Sequence, residues 1–178
     1  LSSSHACFLA VGFNLPAFPD SFSEMEADYK GLAGVVSRMG GQLRVRCHPR
    51  HQTSYFLHAQ MIPDLIRSGH ALMMSNPSDS LNEELSQVAV AIIRNWSGAA
   101  IQVLLAGVPL IGWVPRPGHP ESDEIVKLLP LCAKTPEEVD SIISRWRCDH
   151  EYRQDVLQRQ AAFLRDQVGD PKDDHASL

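Results

Sequence analysis

Two short segments of the sequence carry residue types that suit contact with a phosphate group: His48 to Arg50, and Asn95 to Gly98. The histidine of the first segment can donate a hydrogen bond to a phosphate oxygen, and its arginine can donate one with a full positive charge. In the second segment Ser97 stands where a helix N-cap is expected, and the small residues Gly98 and Ala99 follow it. Because a helix N-terminus presents unpaired N–H groups and the positive end of a dipole, it attracts anions. These residues therefore predict a site for a phosphate-bearing ligand.

Ordinary structural roles would explain each of these residues taken alone. His48 fits a solvated loop as well as it fits a ligand contact, and capping is the commoner role of a serine placed like Ser97. The prediction of a ligand therefore depends on both segments lying at one edge of the same fold.

The stretch 88–113 supplies the elements that position the second segment. Val88 to Ile93 is an apolar run rich in β-branched residues, which is typical of a strand buried on both faces. The helix after Ser97 is predicted to occupy Ile101 to Ala106, because Gly107 closes it and a proline soon follows. A further apolar run then starts the next strand. A parallel βαβ unit of this kind places the helix N-terminus at the carboxyl edge of the sheet, where open α/β folds bind ligands.

The remaining sequence repeats this alternation of strands and helices. Strands are predicted at 5–12, 42–47, 71–74, 88–93 and 110–114, with a short apolar segment at 131–133, and helices at 20–39, 53–67, 80–85, 122–129, 135–146 and 150–168. This alternation predicts an α/β fold with a doubly wound parallel sheet of about five or six strands. We expect one Rossmann-like, three-layer domain over residues 1–168, and a polar, frayed tail over residues 169–178.

Composition excludes several classes of protein. The chain has 178 residues, of which 44% are hydrophobic, and a net charge of −5. This composition supports a substantial core, disfavours general binding to nucleic acid, and contains no apolar run long enough to span a bilayer. The four cysteines and eight histidines lack metal-binding or redox-pair spacing, so no metal is expected, and buried thiols favour the cytoplasm. Since Leu1 lies only a few residues before a core strand, we expect the chain to be a piece of a longer protein.

Three motifs in order along the chain carry a family resemblance. A His48-Pro49 pair follows a strand, a helix led by Ser97 ends in Ala106-Gly107-Val108-Pro109, and Thr135 to Glu138 opens a helix that precedes a charged terminal helix. With these motifs, the segment from about Arg44 to Val168 resembles the C-terminal, donor-binding half of GT-B glycosyltransferases. The likeness is closest to bacterial enzymes that build capsule or lipopolysaccharide sugars from cytidine-nucleotide donors.

The resemblance implies contacts for individual residues. In such relatives the histidine of the His-Pro pair and the serine at the helix start contact the nucleotide phosphates, which implies these roles for His48 and Ser97. Many relatives hold the donor ribose with a glutamate seven residues before the proline, where this chain has Gln102, whose amide can still hydrogen-bond hydroxyls. Relatives often carry a second hydroxyl residue at the helix start, where this chain has Gly98. The loop that begins at Arg116 leaves the next strand at the same edge, where it meets either the base or sugar of a donor or only solvent. The candidate nucleotide-binding residues are thus His48, Arg50, Ser97, Gly98, Ala99, Gln102 and Arg116.

These features together predict the donor-binding half of a glycosyltransferase that moves a sugar from a nucleotide-sugar to a surface-glycan acceptor, as in polysaccharide biosynthesis. The nucleotide-sugar is a substrate, so no cofactor is expected, and an N-terminal half with the acceptor site is expected to be missing. Because the general base of such enzymes comes from that other half, the chain alone is expected to turn over no donor. The alternative is a non-catalytic α/β nucleotide-binding or regulatory module. The absence of G-x-G-x-x-G after the first strand, and of G-x-S-x-G, disfavours a dinucleotide-binding oxidoreductase and a serine hydrolase.

Overall fold

The computed structural model describes residues 7–11, 21–46, 52–76, 79–116 and 120–168. Two of the predicted phosphate-binding residues, His48 and Arg50, lie outside these ranges, and so do the predicted first loop and the tail 169–178. The described part contains six strands and seven helices, which alternate along most of the chain as the sequence predicts.

All six strands lie in one parallel sheet. They are β1 (Cys7–Val11), β2 (Gln42–Arg46), β3 (Leu72–Met74), β4 (Val88–Ile93), β5 (Leu110–Trp113) and β6 (Cys132–Ala133). Their order in space is β3-β2-β1-β4-β5-β6, so the chain builds the sheet outward from β1 in one direction and then from β4 in the other. This order confirms the predicted doubly wound sheet. The reversal falls between β1 and β4, and open sheets bind ligands at such a point, outside the carboxyl ends of the strands.

Seven helices connect or follow the strands in the described part. They are α1 (Ser21–Arg38), α2 (Gln52–Arg67), α3 (Leu81–Leu85), α4 (Gly98–Leu105), α5 (Pro120–Leu128), α6 (Pro136–Cys148) and α7 (His150–Val168). The predicted helix starts at Ser80 and Thr135 are confirmed, because each side chain accepts the backbone N–H three residues further on. In addition, the backbone N–H of Ser80 donates to the Glu83 carboxylate, which completes a capping box. Within the described ranges, no helix is long and apolar enough to cross a membrane.

Two helices show how their local sequence is accommodated. Helix α4 begins at Gly98, directly after the predicted N-cap Ser97, so the small residues before Ile101 are already helical. Helix α2 continues through Pro63, although a proline inside a helix lacks the N–H for a backbone hydrogen bond. Buried side chains on both sides of this proline, among them Ile62 and Leu65, hold the helix against the core.

Helices cover both faces of the sheet. Residues of α1, α2 and α6 form one apolar core with the sheet, whereas residues of α3, α4 and α5 form a second core on the opposite face. Strand β4 shows the division, because Val90 and Ile92 belong to the first core and Ala91 and Ile93 to the second. Helix α7 reaches both, with Val156 in the first core and later residues packed against the second. This arrangement has the three layers that the sequence predicts.

A side-chain amide anchors α7 to the beginning of β5. Strand β6 pairs only with the last two residues of β5, so the backbone groups of Leu110 have no partner in β6. The buried side chain of Gln160 replaces that partner: its Oε1 accepts from the Leu110 N–H at 3.3 Å, and its Nε2 donates to the Leu110 carbonyl at 2.7 Å. These two hydrogen bonds set the position of α7 relative to the strand that precedes Arg116.

Candidate functional site

The start of α4 has a serine at the capping position that does not cap. Ser97 has extended backbone geometry (φ −158°, ψ 167°), but its side chain makes no hydrogen bond to the helix start. Its Oγ is buried and has no hydrogen-bond partner among the described residues. Since a buried hydroxyl left unpaired costs about 1–3 kcal/mol, such groups are uncommon in native structures. The predicted N-cap position of Ser97 is therefore confirmed, while its side chain leaves the capping role unfilled.

The first turn of α4 has an open side. Gly98 and Gln102 are both exposed, and because they are four residues apart they share one face of the helix. A Cβ atom built on Gly98 would meet no described atom within 4 Å, so the described part of the chain leaves space beside the helix end. Helix geometry leaves the N–H groups of Gly98 and Ala99 without partners inside the helix, and the Ala100 N–H bonds back to the Ser97 carbonyl at 2.9 Å. This end can donate several N–H groups to one anion.

Packing holds this helix end in place. Ala100, Val103 and Leu104 are buried in the second core. The ring of Trp96, directly before the N-cap, meets the ring of Phe163 of α7 edge to face, with centroids 5.5 Å apart. The backbone that leads into α4 is therefore fixed from both sides, so its N–H groups do not have to be ordered by a ligand.

Arg116 lies three residues after β5 and is tied to α1. Its Nε is 3.2 Å from Oε2 of Glu24, and its Nη1 is 3.7 Å from Oδ2 of Asp28. Arg94, the first residue after β4, places its own Nη1 3.2 Å from the same Oδ2. The side chains of Asp28 and Arg94 are almost fully buried, whereas that of Arg116 is 33% exposed. Arg116 thus lies at the predicted sheet edge, but within an ion-pair network.

The charges of this network are balanced. Two carboxylates, of Glu24 and Asp28, face two guanidinium groups, of Arg94 and Arg116. Burial raises the pKa of Asp28 above the ordinary aspartate value, and the charges of Arg94 and Arg116 oppose that rise only in part. Because the described members of this network together carry no net formal charge, the attraction for an anion among the described residues of β4, β5 and their loops comes from the α4 N-terminus.

A second buried charge cluster lies at the ends of β2 and β3. Glu84 of α3 is almost fully buried and contacts Arg46 at 2.8 Å and Arg44 at 3.5 Å. The hydroxyl of Ser75 donates to the same carboxylate. Arg46 also donates to the carbonyl of Asp79 at 2.9 Å, so this cluster fastens the short helix α3 and the turn before it to the sheet.

Five of the seven candidate residues fall in the described part. Ser97, Gly98 and Ala99 lie together at the N-terminus of α4, and Gln102 lies one turn further along the same helix. Arg116 leaves β5 at the same edge but is engaged with α1. Sequence reasoning missed the partners on α1 and the residue after β4, because no local pattern links them. Within the described ranges, no group of three or more His, Cys, Asp or Glu residues could hold a metal ion.

The fold and its open helix end place the chain in the class of Rossmann-like α/β domains with a doubly wound parallel sheet. No protein-family model matches the sequence, and no curated protein matches it. The information about relatives therefore comes from solved structures alone.

Three solved structures illustrate the similarity. A candidate UDP-N-acetylglucosamine 2-epimerase from Listeria monocytogenes has a TM-score of 0.54 and 14% identity, and the match covers 88% of this chain and 39% of that one. Os79 from O. sativa, solved with UDP and deoxynivalenol-3-glucoside, has a TM-score of 0.52 and 13% identity, covering 90% and 37%. The glycosyltransferase SnogD from Streptomyces nogalater has a TM-score of 0.51 and 16% identity, covering 92% and 41%.

At these identities the similarity establishes the fold of this chain. The chain spans about two fifths of the length of each of these structures. Its fold therefore matches one part of larger proteins. One of them, SnogD, is described as a glycosyltransferase, and another, Os79, was solved in complex with UDP and a glucoside.

Proposed function

We propose that this chain is the donor-binding half of a GT-B glycosyltransferase, and that the start of α4 binds the phosphates of a nucleotide-sugar. The observation that carries this proposal is the buried Ser97 Oγ, which has no partner in the described part and stands at an open helix N-terminus. A ligand with phosphate oxygens would satisfy that hydroxyl and the N–H groups of Gly98 and Ala99 together. UDP in the similar Os79 structure supports a nucleotide as the ligand.

In this proposal the chain stabilises the leaving phosphates without a metal ion. The helix dipole and the N–H groups of Gly98 and Ala99 supply preorganised positive potential where negative charge develops as the sugar leaves. His48 and Arg50, which follow β2 in the sequence, are proposed to contact the same phosphates. A fixed helix end serves this role well, because it does not reorganise during the reaction.

Two further residues are proposed to contact the rest of the donor. Gln102 shares the exposed face of α4 with Gly98, and its amide is proposed to hydrogen-bond ribose hydroxyls beyond the phosphates. Arg116, on the next loop of the same edge, is proposed to meet the base or the sugar with its partly exposed side chain. Its ion pairs with Glu24 and Asp28 would hold that group in a fixed orientation.

The finer parts of the proposal concern the whole enzyme. We propose a cytidine or uridine donor, a surface-glycan acceptor in polysaccharide biosynthesis, and a cytoplasmic location. The acceptor site would lie in an N-terminal half that this chain does not contain. The match of this chain to about two fifths of larger glycosyltransferase structures supports such a division.

A charge placed beside the helix end tests the phosphate site. Gly98→Asp puts a carboxylate into the open space next to the N–H groups, where it favours the helix through the dipole but repels a phosphate. Titrations of the chain with CMP, CDP and UDP, followed by calorimetry and by the amide resonances of residues 97–100, measure the effect. We expect affinity to fall at least about 10-fold, which corresponds to about 1.4 kcal/mol.

Gly98→Asn is the matched control for this experiment, because it has nearly the same size and no charge. It should lose clearly less affinity than Gly98→Asp. The phosphate site is wrong if none of the three nucleotides shifts the amides of residues 97–100, or if the two variants bind equally well.

A further inference from the structure

The ion-pair network around Asp28 lies beside the point where the strand order reverses. Glu24 and Asp28 are one turn apart in the first half of α1, which follows β1. Arg94 directly follows β4, the neighbour of β1 on the other side of the reversal. Arg116 follows β5, the next strand outward. The network therefore joins three consecutive positions along the carboxyl edge of the sheet.

Asp28 is the centre of this network. A single oxygen, Oδ2, lies 3.2 Å from Nη1 of Arg94 and 3.7 Å from Nη1 of Arg116. The Asp28 side chain is 7% exposed and that of Arg94 is 10% exposed, so water screens their attraction only weakly. The contact between Arg116 and Glu24 is more exposed on both sides and contributes less.

The two arginines that contact Asp28 lie in two different connections of the chain. Arg94 lies between β4 and α4, and Arg116 lies between β5 and α5; both connections carry candidate nucleotide-binding residues. Arg94 is three residues before Ser97, and the intervening Trp96 is itself packed against Phe163. Arg116 is one of those candidate residues, at the start of the connection from β5 to α5. A shift of Asp28 would change the separation of these two connections, because Arg94 donates a hydrogen bond to its Oδ2 and Arg116 is attracted to the same oxygen as an ion pair at 3.7 Å.

We propose that Asp28 is a positioning residue for the nucleotide site, which holds the β4–α4 and β5–α5 connections at the separation where Ser97 and Arg116 can contact one ligand. This inference rests on the proposed function, because it assigns Asp28 an effect on nucleotide affinity. Asp28 does not touch the ligand in this arrangement. It acts through the two arginines, and the fixed distance between their loops lowers the ordering that binding would otherwise require.

Asp28→Asn tests the inference, because it keeps the shape of the side chain and removes its charge. We expect affinity for CDP or UDP to fall about 10-fold while the calorimetric stoichiometry stays at about one nucleotide per chain. In the unliganded protein, amide resonances of residues 94–100 and 114–116 should move as well. Glu26→Gln is the matched control, since Glu26 lies on the same helix and pairs only locally with Lys30 at 2.8 Å. It should leave affinity unchanged.

Two measurements distinguish unfolding of the Asp28→Asn variant from a change in the position of the two connections. If Asp28→Asn merely unfolded part of the sample, the stoichiometry would fall instead of the affinity, and that result overturns the inference. Should the variant not fold at all, Glu24→Gln decides, because it removes only the exposed contact to Arg116 and should weaken binding about 2- to 3-fold. Equal binding by wild type, Glu24→Gln and any folded Asp28→Asn overturns the inference and leaves the proposed function standing. Failure of the wild type to bind any of the three nucleotides overturns the proposed function, and the inference with it.

Discussion

Ser97 shows at the scale of one residue how a common local role can be left unused. Its position predicts a capping hydrogen bond, and the backbone has the geometry of an N-cap. The hydroxyl nevertheless lies buried without a partner in the described part, although Thr135 at the start of α6 does cap its helix. The same chain thus contains a serine N-cap whose hydroxyl does not cap its helix and a threonine N-cap whose hydroxyl does.

Ser97→Ala separates these two roles by the sign of its effect on stability. Removing an ordinary N-cap costs about 1 kcal/mol, whereas removing an unpaired buried hydroxyl should leave the free energy of unfolding unchanged or raise it slightly. We expect the second result, together with a loss of nucleotide affinity of about 1.5–3 kcal/mol for a hydrogen bond to a charged group. Urea denaturation and calorimetric titration measure the two quantities, and Thr135→Ala is the control that should destabilise the protein. A clear loss of stability in Ser97→Ala would contradict this account.

Asp28 makes the stability of the protein depend on pH in an unusual direction for a carboxylate. Burial raises its pKa in the folded state, Glu24 adds to that rise, and Arg94 and Arg116 oppose it. The folded state therefore holds this proton at pH values where the unfolded state, with a pKa of about 3.9, has released it. The contribution of Asp28 to stability accordingly falls as the pH rises through the window between the two pKa values, and it recovers as the pH is lowered.

Comparison of wild type with Asp28→Asn isolates this effect, because the other carboxylates titrate in both proteins. The difference in unfolding free energy should move in favour of the wild type as the pH is lowered toward the unfolded-state pKa of about 3.9. Urea denaturation at several pH values measures it. A difference that is independent of pH, or that moves in the opposite direction, would show that burial is not the largest influence on the pKa of Asp28 in the folded state.

At the scale of elements, α7 and α4 show how distant segments fix the site. Helix α7 closes the second core over α4 through Phe163, and its Gln160 pairs with the backbone of Leu110 in β5. Close approach of α5 depends on Gly112, because a Cβ there would lie 2.4 Å from Cγ2 of Ile125. The orientation of the edge that carries the candidate residues therefore depends on contacts made well away from it.

Gln160→Leu should destabilise the protein, because it leaves both backbone groups of Leu110 unpaired in a buried position. Each such group costs about 1–3 kcal/mol, although some relaxation is expected. Urea denaturation gives the change in unfolding free energy. The matched control is Gln158→Leu, on the exposed side of the same helix, which should change stability by less than about 0.5 kcal/mol. Similar effects of the two substitutions would mean that the amide does not replace a strand partner.

At the scale of the whole molecule, the doubly wound sheet brings its ligand-suited edge together from segments far apart in the chain. The reversal between β1 and β4 places α1 and α4 on opposite faces at neighbouring positions. In the proposed division of a glycosyltransferase into two halves, this edge binds the nucleotide-sugar. The acceptor site and the general base belong to the other half. The described acidic residues of α1 at this edge, Glu24 and Asp28, are both engaged with arginines.

We expect the purified chain to release no nucleotide above background when it is incubated with a CDP- or UDP-sugar and a glycan acceptor. Without a second half to position the acceptor, the reaction loses the proximity contribution of about 7–11 kcal/mol. A coupled assay for the released nucleotide measures this, and binding of the same donor by calorimetry is the positive control. Turnover by the purified chain would make it a complete small enzyme and would contradict the half-enzyme proposal.

The sequence alone determined the features that depend on neighbours within a few residues. The apolar run of β4 was predicted with its observed bounds, and Ser80, Thr135 and Gly107 mark helix ends because caps and glycine conformations act locally. Alternation of these elements was sufficient for the doubly wound fold, since parallel strands require crossovers of one hand. The N-cap of α4 was predicted correctly at Ser97, whereas apolar periodicity marked the helix only from Ile101, because small residues such as Gly98 and Ala99 carry no such periodicity.

Only the tertiary structure decided which distant side chains meet. Asp28 and Arg94 are 66 residues apart, and Gln160 is 50 residues from Leu110. No local pattern distinguishes such residues from ordinary solvated side chains, because their environment is created by the packing of other elements. The same reason explains why sequence showed that Ser97 begins a helix, whereas the burial of its unpaired hydroxyl followed from how α4 packs in the folded chain.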